Sequence, residues 1–214
     1  MFVAKRMATN PVTISPDASI DEAMTAMRKG KFRRLPVVDN GRLVSFISDR
    51  DLMRVAPSPA TTLSRYEEKS LLAKLKVREI MPNKVISVSE EATIEEAALL
   101  MEQNRIGGLP VISSVGAVVG VITETDIFKT FIDVMGLEDG KTRLTIEVTD
   151  KIGVVYELAS IFTEAGLSID SMVTCKQPDG TYEIVIRGDI PDVAGIRGKI
   201  EAKGYKVIHD VKIG

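Results

Sequence analysis

The chain has 214 residues, 44% of them hydrophobic, and a formal net charge of −2, enough material for a substantial core in one or two domains. The near-neutral balance offers no basic field for nucleic acid, and a single cysteine, Cys175, excludes a disulfide framework and suits a reducing compartment. Met1 to Arg6 carries no apolar leader and no run approaches the ~18 apolar residues of a membrane span, so a cytoplasmic protein without membrane or nucleic-acid partners is expected.

The first two-thirds of the sequence is one pattern written twice. Met7, Val12-Thr13-Ile14, Ser19-Ile20-Asp21-Glu22, Leu35-Pro36-Val37-Val38 and Ile47-Ser48-Asp49-Arg50-Asp51 follow in order. Met81, Val85-Ile86-Ser87-Val88, Thr93-Ile94-Glu95-Glu96, Leu109-Pro110-Val111-Ile112 and Ile122-Thr123-Glu124-Thr125-Asp126 repeat it. Met7 and Met81 are 74 residues apart and Asp51 and Asp126 are 75 apart, so the second copy holds one extra residue in its hairpin. Two copies of one supersecondary unit are implied, with room for two copies of one site.

Each copy reads as a small α/β unit. An extended start, Val12 to Ile14 or Val85 to Val88, leads to Ser19 or Thr93, each followed three residues later by glutamate at capping-box spacing. Ile20, Ala23, Met24 and Met27, like Ile94, Ala97, Ala98 and Met101, then recur at helical intervals. Two short strands flank Asp39-Asn40-Gly41, a hairpin signal, and a second helix begins at Ser48 or Thr123. Pro57 to Thr62 joins the copies, and a helical patch follows over Tyr66 to Leu75.

Past the break at Gly136 to Gly140 the pattern changes. A strand over Leu144 to Val148 precedes a helix over Val154 to Ala165, stopped by Gly166. Strands over Ile169 to Lys176 and Thr181 to Arg187 surround a turn, then a helix over Val193 to Lys203 and a strand over Tyr205 to Ile213 close the chain. The order β-α-β-β-α-β is the ferredoxin-like split. The expected division is repeat one at 1–62, repeat two at 63–135, a linker at 136–141 and a separate domain at 142–214.

The chemistry gathers where each repeat ends. In Ser48-Asp49-Arg50-Asp51 and Thr123-Glu124-Thr125-Asp126 a strand ends in a hydroxyl residue with an aspartate three further on. A strand-to-helix junction aims backbone N–H groups and a helix dipole outward, which suits phosphate, and an aspartate one turn in can accept both hydroxyls of a ribose. Arg33, Arg34 and Arg50 supply positive charge in the first copy, and Arg105 and Lys129 in the second. The same spacing is also a plain helix cap, and both readings stand on the tetrapeptides alone.

The segment 1–135 resembles a tandem pair of CBS domains, a Bateman module. The resemblance rests on Val77-Arg78-Glu79-Ile80-Met81, the Leu-Pro-Val strands at Leu35 and Leu109, and the endings Ile47 to Asp51 and Ile122 to Asp126. It implies a duplicated α/β fold and clefts between the copies that bind AMP, ADP, ATP or S-adenosylmethionine as a regulatory ligand, with no cofactor required. By position it implies Asp51 and Asp126 at ribose, Ser48 and Thr123 at phosphate, Arg33 and Arg50 nearby, and Thr13 and Ser87 near adenine. Thr125 in place of Arg50, and Gly107-Gly108 in place of Arg33-Arg34, weaken the phosphate end of the second site.

Residues 142–214 resemble an ACT domain, carried by Asp150-Lys151-Ile152-Gly153-Val154 and Ala165-Gly166-Leu167-Ser168-Ile169. The resemblance implies dimerisation, or capture of a small molecule such as an amino acid by Asp150, Ile152, Gly153, Ser168 and Ile169. Ile152 replaces the usual proline and Ser168 the usual asparagine. The order CBS–CBS–ACT resembles the acetoin-utilisation regulatory proteins, which implies a non-catalytic sensor, a homodimer, and a target protein.

Other candidates carry less. Gly136 to Thr142 ends like a phosphate-binding loop but with three intervening residues and a strand after it. His209 is the lone histidine, so histidine triads and multi-histidine metal sites are not expected. A regulatory ligand sensor is the expected function, against an assembly protein with empty clefts or an enzyme.

Overall fold

The computed structural model describes residues 1–57, 64–137, 140–149 and 151–212. Residues 58–62 of the joining stretch expected over Pro57 to Thr62, together with Glu138, Asp139, Asp150 and the strand end at Ile213, lie outside the described residues. The chain is mixed α/β and divides into two compact units, Met1–Ile127 and Phe128–Gly214.

In the first unit the repeat is visible element by element. Copy one supplies α1 (Ile20–Gly30), the hairpin β2 (Arg34–Asp39) and β3 (Arg42–Ser48), and α2 (Asp49–Val55). A connecting helix, α3 (Arg65–Lys74), leads to copy two, with β4 (Val88–Ser89), α4 (Ile94–Asn104), β5 (Gly108–Ile112), β6 (Val118–Thr123) and the start of α5 (Glu124–Met135). Both expected capping boxes form: Glu22 Oε2 accepts from the Ser19 amide at 2.7 Å, and Glu96 Oε2 from the Thr93 amide at 2.7 Å. The apolar stripe of α1 (Ile20, Ala23, Met27) packs on Leu35, Val37 and Ile47, and that of α4 (Ile94, Ala97, Met101) on Leu109, Val111 and Ile122.

The cores are not filled in chain order. Val3 is fully buried in the core of copy two, its amide donating to Ala92 O at 2.8 Å. Val77 is fully buried in the core of copy one, its amide donating to Ala18 O at 2.9 Å. A short strand near the N-terminus, β1 (Ala8–Thr9), pairs antiparallel with β6, giving copy two a sheet ordered β1-β6-β5-β4. In copy one the position equivalent to Ala8 is Pro82. Proline has no N–H for a ladder, and its carbonyl instead accepts from the buried Ser45 hydroxyl at 2.8 Å. The residue equivalent to Ser45 is Gly120, where any side chain would collide with Met7. Among the described residues copy one therefore keeps the β2-β3 hairpin and two isolated bridges, Ile14 to Val37 in parallel and Ser19 to Lys76 antiparallel.

The extended starts of the repeats are mostly unpaired backbone. Only Val88–Ser89 forms a strand, parallel to β5, and Val12-Thr13 and Val85-Ile86-Ser87 carry no strand.

The second unit contains β7 (Thr142–Val148), α6 (Val154–Glu164), β8 (Ser171–Lys176), β9 (Tyr182–Gly188), α7 (Val193–Ala202) and β10 (Lys206–Lys212). The sheet is antiparallel and ordered β10-β7-β9-β8. Leu144, Ile146, Ile184 and Ile186 face Leu158, Phe162, Ile196 and Ile200 of the two helices, forming a separate core. No described helix is long and apolar enough to cross a membrane.

Candidate functional site

The register of the two hairpins builds the site. Arg34 pairs with Ser48 across β2–β3, and Gly108 with Thr123 across β5–β6. The Asp49 amide donates to Arg33 O at 2.9 Å and the Glu124 amide to Gly107 O at 3.3 Å, so each strand-to-helix junction is tied to its hairpin in the same way. Ser48 donates to Asp51 Oδ2 from its amide at 2.8 Å and from its hydroxyl at 2.7 Å. Thr123 repeats this on Asp126 Oδ2 at 2.9 and 2.7 Å. Ser48 Oγ also accepts from the Asp51 amide at 3.4 Å, completing a capping box, and Asp126 reaches back to Thr123 in the same way at the start of α5. The cap uses Oδ2, while Asp51 Oδ1 stands 3.8 Å from Arg54 Nη1.

Both caps open into one cavity of about 940 Å³ within the first unit. Of the residues expected at the site, Arg33, Ser48, Arg50, Asp51, Thr123 and Asp126 line it together. Thr13 and Ser87 do not; their neighbours Val12, Val85 and Ile86 face it instead. Arg105 lines the cavity and Lys129 does not.

Several lining residues were not singled out by sequence. Arg54 follows Arg50 by one turn of α2, a spacing that the helical periodicity of the segment contained. Lys84 sits in the loop before Val85, with no such signal. Glu124 became relevant only through the packing of Arg34. A side chain on Gly107 would collide with both the Arg34 guanidinium and the Glu124 carboxylate, and one on Gly108 would press on Arg34 Cδ at 3.0 Å. The two glycines of copy two leave the room that an arginine of copy one fills. Burial lowers the pKa of Arg34 from its ordinary value, with Glu124 the largest influence acting the other way.

The lining carries seven Lys and Arg side chains against four carboxylates, although the whole chain has a net charge of −2. A walled cleft lined mainly by one sign of charge concentrates counter-ions of the other sign. The cations are unevenly divided: Lys31, Arg33, Arg34, Arg50 and Arg54 come from copy one, and Lys84 and Arg105 from the later part.

The second unit has its own cavity of about 540 Å³, lined by Val148, Thr149, Gly153, Tyr156, Thr174 and Tyr182 among others. Gly153 caps α6 at φ 95°, a backbone state open to glycine. Ile152 is fully exposed and does not line the cavity. Ser168 and Ile169 are also outside it; the Ser168 carbonyl would lie 2.7 Å from a side chain at Gly188, and Ile169 packs on the domain core. Asp150 lies outside the described residues.

Comparison with known proteins gives this arrangement its relatives. The CBS domain matches residues 3–58 and 77–133, and the ACT domain matches residues 142–204. A CBS domain-containing protein of Dictyostelium discoideum is 32% identical over 136 residues, covering 63% of this chain and 94% of that protein. Inosine-5'-monophosphate dehydrogenase of Aquifex aeolicus is 28% identical over 221 residues, covering 97% of this chain but 42% of the dehydrogenase. Among solved structures, the CBS domain pair of the protein MJ0100, in complex with 5'-methylthioadenosine and S-adenosyl-L-methionine, is 28% identical at a TM-score of 0.51. It covers 61% of this chain and 95% of that one. A Vibrio cholerae structure named for acetoin utilization (AcuB) is 28% identical at a TM-score of 0.52, covering 65% of this chain and 96% of its own. With two CBS domains in tandem followed by an ACT domain, the chain belongs to the CBS-domain family.

Proposed function

We propose that this protein is a non-catalytic cytoplasmic sensor whose CBS pair, within residues 1–135, binds an adenosine ligand in the cavity between its copies. The observation that carries this reading is the meeting of both Ser/Thr-x-x-Asp caps in one cation-rich cavity. Asp51 Oδ1 is placed to accept from ribose while Oδ2 holds the helix, and Arg50, Arg33 and Ser48 stand beside it for phosphate. The excess of cations favours a phosphorylated ligand (AMP, ADP or ATP) over the sulfonium of S-adenosylmethionine. Thr123 and Asp126 form a weaker second end, because Thr125 and Gly107 replace arginines. The ACT domain at 142–214, after a linker at 136–141, serves homodimerisation or senses an amino acid. A link to acetoin utilisation and an unidentified target protein belong to the same reading.

The test is calorimetric titration of AMP, ADP, ATP and S-adenosylmethionine into wild type, Asp51→Ala and Asp126→Ala. Loss of the two ribose hydrogen bonds predicts roughly a hundredfold weaker binding in Asp51→Ala. Silent titrations in all three proteins would make the aspartates caps alone and move the reading to an assembly protein with empty clefts.

A further inference from the structure

The face of the ACT sheet turned away from α6 and α7 holds a charge that the nucleotide reading does not use. Leu144 and Ile146 point to the helices, so Arg143 and Thr145 between them point to the other face. The register sets Arg143 directly opposite Arg187 and Thr145 opposite Val185, while Ser171 flanks Arg187 on its other side. Arg187 is only 6% exposed. Its Nε is buried with no hydrogen-bond partner, and its Nη1 finds only the Met135 sulfur at 3.9 Å. Among the described residues neither arginine forms an ion pair, although Arg143 Nη1 donates to the Thr145 hydroxyl at 2.6 Å.

Two guanidiniums set side by side in a sheet repel each other, and burial first, then Arg143, lowers the pKa of Arg187 from its ordinary value. A guanidinium nevertheless stays charged in a protein. A buried charge is costly unless it is paired, and a thioether is a weak acceptor. What this constellation lacks is an anion with more than one acceptor oxygen. The Thr145 hydroxyl accepts from Arg143 and keeps its own proton to donate, and half-buried Arg143 keeps an approach from solvent.

We infer that Arg143 and Arg187 form an oxyanion site on the face of the ACT sheet opposite α6 and α7, beside the end of α5 at Met135, which takes a small molecule through one carboxylate or phosphate group. The planar guanidinium fork matches both groups. No residue of the CBS cavity takes part, so this site and the nucleotide site stand or fall separately.

The Arg187 Nε–Hε resonance of the full chain, labelled with ¹⁵N-arginine and assigned by its loss in Arg187→Lys, reports occupancy at the site itself. Sodium phosphate and sodium acetate are titrated separately at ionic strength held constant with chloride. A saturable shift with phosphate, with acetate, or with both supports the site and identifies which group it takes. Arg143→Gln, at a half-buried position, should then weaken that binding about tenfold or more. No saturable shift with either anion, or one unchanged in Arg143→Gln, would overturn the inference. So would a shift that follows protein concentration in place of added anion, because a second copy of the chain would then supply the countercharge.

Discussion

At Asp51 the two carboxylate oxygens are in different surroundings: Oδ2 accepts twice from Ser48, and Oδ1 faces Arg54. Asparagine at this position keeps an oxygen for the cap but loses the charge. Asp51→Asn is therefore expected to hold stability within about 1 kcal/mol of wild type, while nucleotide affinity falls roughly tenfold. Thermal melts and titration of the same preparation read the two effects separately. Glu124 poses the opposite case, since its carboxylate tempers Arg34 inside the cavity. Glu124→Gln should tighten ATP binding and weaken S-adenosylmethionine binding, each roughly two- to fivefold in low salt, with the difference shrinking as salt is added. An equal change for both ligands would mean that Glu124 acts through packing and not through charge.

Among the elements, the starts of α1 and α4 are the most strongly signposted in the sequence, and the reason is local. Ser19 and Glu22, like Thr93 and Glu96, lie three residues apart and satisfy each other within one turn. Those bonds lower the pKa of Glu22 and Glu96 below the ordinary 4.5, the backbone bond to the cap residue being the largest cause. A carboxylate with a depressed folded pKa adds stability above its unfolded pKa and loses it as pH falls through the folded value. The melting temperature should therefore drop as pH is lowered below about 4.5. Glu22→Gln/Glu96→Gln should flatten that drop while keeping the caps, which a pH series of thermal melts would reveal. The extended starts of the repeats were less legible. Whether Val12 to Ile14 forms a strand depends on a pairing partner, and the one bridge it makes, from Ile14 to Val37, reaches more than twenty residues along the chain.

For the first unit as a whole, the repeat in the sequence and the packing unit in space are offset from each other. Val3 and Val77 each plug the core of the other copy in chain order, and both are fully buried. Val3→Ala and Val77→Ala should each cost about 2 kcal/mol through lost burial and a residual cavity. If the copies support one another, each variant should lower a single unfolding transition; two separate transitions would show them to be independent. The repeat itself, the fold class and the site tetrapeptides could be read from short-range spacing. The exchange of core plugs could not, because Val3 and Val77 look like any valine before a short helical turn. Arg34 was legible as a charge but not as the side chain that fills the space over Gly107 and Gly108, a matter of three-dimensional fit alone.

The pairing of β1 with β6 also fixes an order of events during synthesis. Residues 10–81 contain the whole of copy one's core, including Val77, so that copy can close once residue 81 is clear of the ribosome. The strand at Ala8–Thr9 precedes that core in the chain, yet its partner at Gly120–Val121 is made more than a hundred residues later. At roughly 5–20 residues per second, β1 waits for seconds before its partner exists, while the core of copy one can already close.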